Sequence, residues 1–366
     1  MTTLMISAAE ASGDHHASQL IQNNPSINFI GMGGTLSQQA GLTTLVNSND
    51  LGAVGLAETF QKLYKNIQAL NTLKQALKTN KNIQALIVID CPEFNLRLAK
   101  YAHKKLGIKV IYIAPPQIWA WRKHRIHAIK KYIDHVVCLF PFEPKLYHQH
   151  NVNYSLAKNP SLIAMEKSPL FTYAPQSKVI ALLPGSRSSE IKNHLEIMIQ
   201  SILGNKKLNQ HSILVIESDP CHKEYIQSIT QSSPRTRYIS RSSCHRIPIS
   251  FALAASGTVC LELAICQIPF GVIYKTSPIT TFLLKPFINV KYFSLPNIIM
   301  NKPILTELIK IPPSFQNLAK LIEKLNQESY QKKLITELKD LKKKLNNHDG
   351  TMGSILLHWL SKQPSL

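Results

Sequence analysis

A turn in the second half of the chain combines residue types that bind phosphate. Gly185-Ser186-Arg187 follows the apolar run Val179–Leu183 and precedes a predicted helix. A glycine turn between a strand and a helix presents backbone N–H groups to an anion, and a guanidinium adds a bidentate donor. An ordinary capped turn has the same local pattern. We interpret this turn as a candidate phosphate site.

A second turn of this kind, Ser256-Gly257-Thr258, follows the apolar run Phe251–Ala255 and opens another predicted helix. Glu262 lies about one turn further along that helix, where a carboxylate can accept hydrogen bonds from ribose hydroxyls. A buried glutamate in so apolar a window needs a partner, which favours a side chain facing a ligand. Two such turns predict a nucleoside diphosphate site.

A carboxylate, Asp90, ends the apolar run Ala85–Ile89. At the carboxyl end of a parallel strand it projects into the ligand crevice, where it could act as a general base. Capping of the next helix explains the same position equally well. Ser12, Gly13 and Asp14 form a similar turn after the first apolar run, and they either cap a helix or line the crevice.

Two segments combine aromatic or apolar residues with cations. Trp119 and Trp121 stand beside Arg122 and Arg125, which suits base stacking, a membrane interface or a phosphate-binding rim, whereas core packing of Trp119 is the alternative. The segment 54–73 predicts an amphipathic helix that lies either on a membrane or, more commonly, on the core. Its apolar positions are Val54, Leu56, Phe60, Leu63, Ile67 and Leu70.

The elements that position these residues follow from alternating β-type runs and helical segments, which predict parallel strands and an open α/β sheet. We expect one domain at 1–160, a proline-containing linker at 159–177, a second domain at 178–313, and closing helices at 314–366. Ligands are expected in a cleft between the domains. The apolar window 251–274 carries one charge and a turn, so it is predicted to be strand, turn, helix and strand rather than a membrane span.

Composition limits the function classes. The chain has 42 Lys and Arg against 21 Asp and Glu, a net charge of +21 that favours an anionic partner. The six cysteines lack disulfide-framework or CxxC spacing, and the Cys-His pairs at 221–222 and 244–245 match no familiar zinc site. The N-terminus has no basic leader or long apolar stretch, which predicts a protein without a secretory signal.

Nine motifs, in order, resemble the lipid-A-disaccharide synthase family of GT-B glycosyltransferases. They are EASGD from Glu10, FIGMGG from Phe29, LGAVGLAE from Leu51, IDCPEFN from Ile89, IWAWRKHR from Ile118, FPFE from Phe140, LLPGSR from Leu182, SGTVCLE from Ser256 and SLPN from Ser294. The sequence departs from the family at Lys158-Asn159-Pro160, where the family has Gly-His-Pro.

The resemblance implies two Rossmann-like domains facing a cleft and inverting transfer of 2,3-diacylglucosamine from its UDP conjugate to 2,3-diacylglucosamine 1-phosphate. By motif matching, Asp90 and Arg187 correspond to essential residues, and Glu262 and Asn297 fall at the nucleotide site. Glu10, in the EASGD motif, is a candidate for the acceptor site or the cleft, as are Trp121, Arg122 and Arg125. No metal or cofactor is implied. The implied location is the cytoplasmic face of the inner membrane, on an anionic surface. The sequence leaves the choice between a monomer and a homodimer undecided.

Three alternatives remain at this stage. One is another GT-B enzyme with a different UDP-sugar or acceptor, because fold and nucleotide site do not fix the acceptor. A second is a divergent copy of the family enzyme with altered acyl preference. A nucleic-acid-binding protein is disfavoured, since the basic residues are spread along the chain and no recognised module is present.

Overall fold

The computed structural model describes residues 2–51, 58–120, 122–274, 291–308 and 314–363, and the side chains of 58–62 are not among the described ones. Two compact units are present. Unit 1 contains residues up to Lys158 together with those from Asn347 onward, and unit 2 contains Asn159–Asn346. Within the described residues, no helix is both long and apolar enough to cross a membrane.

The described part of unit 1 contains a parallel sheet of seven strands in the order β3-β2-β1-β4-β5-β6-β7. Its strands are β1 (Thr3–Ala8), β2 (Asn28–Gly33), β3 (Thr43–Asn47), β4 (Ile83–Ile89), β5 (Lys109–Ile113), β6 (His135–Cys138) and β7 (Tyr154–Leu156). Its helices are α1 (Ala11–Gln22), α2 (Thr35–Gln39), α3 (Glu58–Thr79), α4 (Pro92–Leu106), α5 (Arg125–Tyr132) and α6 (Glu143–Gln149).

Both faces of this sheet are covered, which explains why its strands are continuous apolar runs. Along β4, Leu86 and Val88 face a core shared with α3, α4 and α5. The alternate residues Ala85 and Ile87 face a second core that contains residues of α1 and of the last helix of the chain. Unit 1 is therefore a doubly wound α/β layer structure.

The described part of unit 2 contains a parallel six-stranded sheet in the order β11-β10-β9-β13-β14-β15 and a separate β12-β8 pair. The strands are β8 (Phe171–Tyr173), β9 (Val179–Leu183), β10 (Ser212–Glu217), β11 (Thr236–Ser240), β12 (Ile247–Ile249), β13 (Phe251–Ala255), β14 (Phe270–Ile273) and β15 (Glu307–Leu308). The helices are α7 (Pro160–Lys167), α8 (Ser188–Leu203), α9 (Lys223–Thr230), α10 (Thr258–Ile265), α11 (Leu295–Met300), α12 (Phe315–Leu325) and α13 (Glu328–Leu345).

The prediction that residues 159–177 form an inter-domain linker was wrong, because this segment forms α7 and β8 of unit 2. Asn159 caps α7 by accepting a hydrogen bond from the Ser161 amide at 2.9 Å, and Pro160 occupies the first helical turn. Proline is well tolerated there, since that position has no hydrogen-bonding need for an N–H. Pro160 therefore marks the start of a helix in unit 2.

The C-terminal helices also differ from the single closing segment expected from sequence. Helices α12 and α13 belong to unit 2, whereas α14 (Met352–Ser361) belongs to unit 1. Met352, Ile355 and Trp359 pack into the core that β1 and β4 share with α1. The apolar face of α14 thus covers part of the sheet that α1 leaves open.

Candidate active site

Asp90 occupies the first position after β4, with its backbone in the left-handed region at φ +53°. The buried Asn95 amide donates to the Asp90 carbonyl oxygen at 2.8 Å, and the Tyr112 hydroxyl donates to the same oxygen at 2.9 Å. A non-glycine residue at positive φ costs roughly 1–3 kcal/mol, so surrounding bonds must hold it. Asn95 and Tyr112 provide those bonds.

The Asp90 carboxylate is itself oriented by two donors. The Ser12 hydroxyl donates to Oδ2 at 2.7 Å, and the Cys91 amide donates to Oδ1 at 2.9 Å. Both carboxylate oxygens retain further lone pairs, because each accepts a single bond from these donors. The carboxylate therefore has a fixed orientation and spare capacity to accept a proton.

Ser12 and Asp90 meet where the strand order of unit 1 reverses. From β1 the chain continues to β2 and β3 on one side, and from β4 it continues to β5, β6 and β7 on the other. Ligands of open α/β sheets bind at such a switch point, outside the carboxyl ends of the strands. Gly13 permits the close approach, since a Cβ there would lie 3.3 Å from the Ile89 carbonyl oxygen.

Asp14 does not face this site. Its buried carboxylate accepts bonds from the backbone amides of Gly34, Leu36 and Ser37 at 2.7–3.0 Å, and from the Ser37 hydroxyl. These bonds hold the start of α2. Of the two sequence interpretations for this residue, helix capping is the one that the geometry supports.

Glu10 is exposed and lies next to the Cys91 thiol. Burial, followed by the charge of Glu10, raises the pKa of Cys91 to about 12. The thiol beside Asp90 is therefore protonated at neutral pH, and a thiolate nucleophile is not the chemistry of this position.

Arg122 and Arg125 converge on one carboxylate, Glu93, in the first turn of α4. Arg125 is buried, whereas the side chains of Arg122 and Glu93 are about half exposed. Since Glu93 lies three residues after Asp90, the cations stand near the same end of β4. Trp119 packs edge-on against Phe142 with ring centroids 5.1 Å apart, and Trp121 lies outside the described residues.

In unit 2, the turn at Gly185 is closed by the side chain of Glu190, which was not among the predicted site residues. Glu190 accepts bonds from the amides of Ser186 and Arg187 at 3.1 and 3.4 Å, and from the Arg187 guanidinium at 3.0 Å. The turn was expected to present free backbone N–H groups to an anion, but the amides of Ser186 and Arg187 are occupied by Glu190. The capping-box spacing of Glu190, three residues after Arg187, is the signal that reveals it.

The turn at Gly185 is also held through its carbonyl oxygens. The Ser218 hydroxyl donates to the Gly185 carbonyl oxygen at 2.9 Å, and His222 Nε2 lies 3.2 Å from the Ser186 carbonyl oxygen. Gly185 adopts φ +127°, and a Cβ there would lie 2.5 Å from Glu190. The Arg187 side chain is 75% exposed, so it is available to a ligand despite its contact with Glu190.

The second turn presents an open helix start. Among the residues that the structure describes, none places an atom within 4 Å of the position that a Cβ of Gly257 would occupy, and α10 begins at Thr258. The Ser256 amide donates to the Ile273 carbonyl oxygen at 3.1 Å, which ties the turn to β14. Strands β9 and β13 are neighbours, so the two turns stand side by side where the strand order of unit 2 reverses.

Two residues assigned to the nucleotide site have protein partners. Glu262 forms an ion pair with Arg241 at 2.8 Å, so its carboxylate already has a protein partner, and the ligand-facing role expected for it stays a prediction. Asn297 is buried, and its amide binds the Leu305 backbone and the Glu307 carboxylate at 2.8–3.0 Å. Asn297 therefore ties α11 to the segment that leads into β15.

A depression of about 460 Å³ adjoins the Gly185 turn in unit 2. Glu217, Ser218, Ser240 and Arg241 contribute polar groups to its wall. Glu217 is buried and accepts bonds from the Tyr238 hydroxyl and from Ser240 at 3.2 Å. The volume lies in the range of small-molecule sites, and Ser218 connects it to the turn.

Helix α3 has two different faces. Ala69, Leu73 and Leu77 are buried in the core of unit 1. Leu63 and Ile67 are 54% and 46% exposed, whereas Leu70 is half-buried and packs against the core. Val54 and Leu56 lie outside the described residues, as does the side chain of Phe60. The predicted apolar face is thus exposed at two of its three described positions.

Solved structures with this architecture include UDP-GlcNAc 2-epimerase from Neisseria meningitidis, at TM-score 0.58 and 12% identity over 99% of both chains. Spinosyn forosaminyltransferase SpnP matches at TM-score 0.59 and 9% identity over 99% of this chain and 98% of its own. Such low identities establish the fold alone. The two doubly wound units and their switch-point turns define the class as a GT-B glycosyltransferase fold.

Sequence comparison is more specific. A sequence model of the lipid-A-disaccharide synthetase family matches residues 4–357. Lipid-A-disaccharide synthase from Coxiella burnetii strain Dugway 5J108-111 is 35% identical, with 94% of each chain covered. Lipid-A-disaccharide synthase 1 from Legionella pneumophila strain Paris is 36% identical, covering 94% of this chain and 93% of its own. This chain belongs to the lipid-A-disaccharide synthetase family and is a glycosyltransferase that forms a lipid A disaccharide.

Proposed function

We propose that this enzyme transfers 2,3-diacylglucosamine from its UDP conjugate to 2,3-diacylglucosamine 1-phosphate, forming a β(1→6) bond with inversion and releasing UDP. Unit 1 binds the acceptor and faces the membrane, and unit 2 binds the UDP-sugar. The observation that carries this proposal is the oriented Asp90 carboxylate at the switch point of unit 1.

Asp90 is the general base of the proposed reaction. Inversion by a single displacement needs one group to take the proton from the attacking acceptor hydroxyl as the bond to UDP breaks. Ser12 and the Cys91 amide fix the carboxylate with single bonds and leave lone pairs for that proton. Asn95 and Tyr112 contribute indirectly, because they hold the backbone that aims the carboxylate.

The donor diphosphate is proposed to meet Arg187 and the start of α10. Arg187 is exposed beside its turn, and the open space at Gly257 admits a ligand close to the backbone of the helix start. A guanidinium and a helix N-terminus both stabilise the negative charge that develops on departing UDP. Glu262 forms an ion pair with Arg241, so binding of a ribose hydroxyl by Glu262 would replace or share this ion pair.

The exposed apolar residues of α3 are proposed to contact the membrane and the acyl chains, at the cytoplasmic side of the inner membrane. Leu63, Tyr64 and Ile67 are exposed within one helical turn, although apolar positions further along the helix are buried. Lys65 and Lys74 lie on the same helix. Exposed apolar groups beside cations are typical of helices that bind anionic lipid surfaces.

The test is incubation of purified protein with both diacylglucosamine substrates in detergent, followed by mass spectrometry. We expect a product with the mass of the disaccharide 1-phosphate, stoichiometric UDP, and a β configuration by NMR. UDP-N-acetylglucosamine, which has an N-acetyl group and no long acyl chains, is the matched donor control and should react poorly. An equal rate with this short-chain donor, or an α-linked product, would contradict the proposal.

A further inference from the structure

The segment between β5 and α5 places cations at the edge of unit 1 where ligands are expected. Its Trp119 packs edge-on against Phe142, which belongs to the turn between β6 and α6. Arg122, and Arg125 at the start of α5, extend to the Glu93 carboxylate just after β4. The segment therefore lies across the carboxyl ends of the neighbouring strands β4, β5 and β6, where parallel α/β sheets bind ligands.

Two guanidinium groups share a single carboxylate oxygen at this edge. Both Arg122 and Arg125 donate to Oε1 of Glu93, so positive charge exceeds negative charge by one within this cluster of three side chains. The two cations differ in their access to solvent. The Arg125 side chain is 8% exposed, whereas that of Arg122 is 46% exposed. Arg125 is therefore the enclosed partner of Glu93, and Arg122 is the cation that a ligand can reach from solvent.

The cluster lies close to the proposed general base. Glu93 follows Asp90 by three residues, which is a chain distance of about 11 Å at most. The Tyr112 hydroxyl donates to the Asp90 carbonyl oxygen at 2.9 Å. Burial and then the charge of Asp90 raise the pKa of Tyr112, whereas the charge of Arg125 lowers it. The base and the cations thus surround one buried hydroxyl.

We propose that Arg122 binds the 1-phosphate of the acceptor and so selects a phosphorylated acceptor, an inference that rests on the proposed function. The phosphate and the attacking 6-hydroxyl belong to the same sugar ring, so the base and the cation must lie within one sugar unit of each other. Asp90 and Arg122 meet this requirement. A guanidinium binds phosphate through two parallel N–H donors, and Arg125 keeps Glu93 neutralised beside the incoming anion.

The kinetic test compares two acceptors that differ only in the phosphate, 2,3-diacylglucosamine 1-phosphate and 2,3-diacylglucosamine, at saturating UDP conjugate in detergent. The wild type should prefer the phosphorylated acceptor in kcat/KM by on the order of tenfold or more, because only this acceptor forms charged hydrogen bonds with the guanidinium. Arg122→Ala should lose most of that preference through a higher KM for the phosphorylated acceptor. Its rate with the unphosphorylated acceptor and its donor KM should stay within about twofold.

Two further variants control for charge and for folding. Lys123→Ala removes the neighbouring exposed cation and should keep the full preference. Arg122→Lys keeps the charge but not the planar fork of donors, so it should retain only part of the preference. Because the Arg122 side chain is about half exposed, all three variants should melt near the wild-type temperature.

A binding measurement does not depend on turnover. Calorimetric titration with each acceptor in detergent, without donor, should show that Arg122→Ala binds the phosphorylated lipid on the order of tenfold more weakly than the wild type. Binding of the unphosphorylated lipid should be the same in both proteins.

The outcomes separate this inference from the proposed function. Equal losses with both acceptors, a preference that survives in Arg122→Ala, or a higher KM for the donor alone would each overturn the assignment of Arg122 to the acceptor phosphate. A wild type that binds the phosphorylated lipid through Arg122 but forms no disaccharide would contradict the proposed function and leave the phosphate site standing.

Discussion

The side chains nearest the proposed chemistry are fixed by buried polar residues. Asn95 is fully buried, accepts from the Ser7 hydroxyl at 2.7 Å, and donates to the carbonyl oxygens of Ile89 and Asp90. Its amide thus connects β1 to the residue after β4. The left-handed backbone of Asp90 has no signature in the sequence, since such a conformation depends on these tertiary bonds.

Arg187→Ala is expected to weaken UDP binding and to lower kcat as well. The guanidinium should contact the diphosphate in the ground state and again as charge develops on the leaving group. Loss of a charged hydrogen bond of about 1.5–3 kcal/mol predicts roughly a 10- to 100-fold loss of affinity. Calorimetric titration with UDP and steady-state kinetics measure the two effects.

Lys206→Ala is the matched control for Arg187, because it removes the same charge beyond the far end of α8. Glu190 still binds the turn amides after Arg187 is truncated, so the turn should keep its shape. An Arg187→Ala protein with normal UDP affinity would place this residue outside the donor site.

Among the elements, the turn before α6 depends on a buried carboxylate. Glu143 accepts from the amides of Leu139 and Phe140 at 2.9 and 3.0 Å. These bonds hold the turn that carries Phe140 and Phe142, whose rings stack at 5.7 Å. The sequence motif marks this turn, but it does not show that its glutamate is fully enclosed.

Burial raises the pKa of Glu143 to about 7, although the two backbone bonds lower it in part. Because the folded pKa exceeds the unfolded value, the stability contributed by the protonated group is present below about pH 4.5 and is lost as pH rises toward 7. Glu143→Gln should remove this pH-dependent loss, which corresponds to roughly 3 kcal/mol of the free energy of unfolding.

Urea denaturation of the wild type and of Glu143→Gln at pH 5 and pH 8 measures that difference. We expect the variant to gain stability relative to the wild type at pH 8 and to gain much less at pH 5. The same stability difference at both pH values would show that Glu143 does not titrate between them.

Helix α3 is predicted to bind membranes through its exposed apolar residues. The double variant Leu63→Ser and Ile67→Ser should lower binding to anionic vesicles by about tenfold or more, because it removes two apolar groups each worth about 1.5–3 kcal/mol when buried. Both residues are about half exposed, so the melting temperature should change little. Vesicle sedimentation and thermal denaturation provide the two readings.

The double variant Leu36→Ser and Leu357→Ser is the matched control, since both residues are exposed in unit 1 at 44% and 47%. High salt should weaken the electrostatic part of binding and leave the apolar part. Binding that disappears completely in salt and is unaffected by the α3 changes would contradict a membrane role for this helix.

At the scale of the whole molecule, local patterns predicted the two sheets well. The apolar window 251–274 forms β13, α10 and β14 as expected, and the runs 85–89 and 179–183 are strands. Continuous apolar runs identify doubly covered parallel strands because both faces are buried. Five strands lack that pattern and were missed, namely β3, β7, β8, β12 and β15.

Contacts between residues far apart in the sequence could not be predicted from local patterns. Helix α14 packs on unit 1 because part of one face of that sheet is otherwise uncovered. The sequence of α14 shows that the helix is apolar, but it does not show which sheet the helix packs against. The Arg241 partner of Glu262 is 21 residues away and belongs to another part of unit 2. The position of Asp90 at the carboxyl end of a strand was predicted because it ends an apolar run, whereas the strand order that places it at a switch point comes only from the structure.

The most direct test of the account is Asp90→Asn, measured for both turnover and donor binding. The substitution keeps the shape of the side chain but removes the base, so kcat should fall by about 10²- to 10⁴-fold. Affinity for the UDP-sugar should stay within a few-fold, because Asp90 belongs to unit 1 and the proposed donor site to unit 2. Near-normal turnover in Asp90→Asn would contradict the account and reduce Asp90 to a residue that shapes the turn after β4.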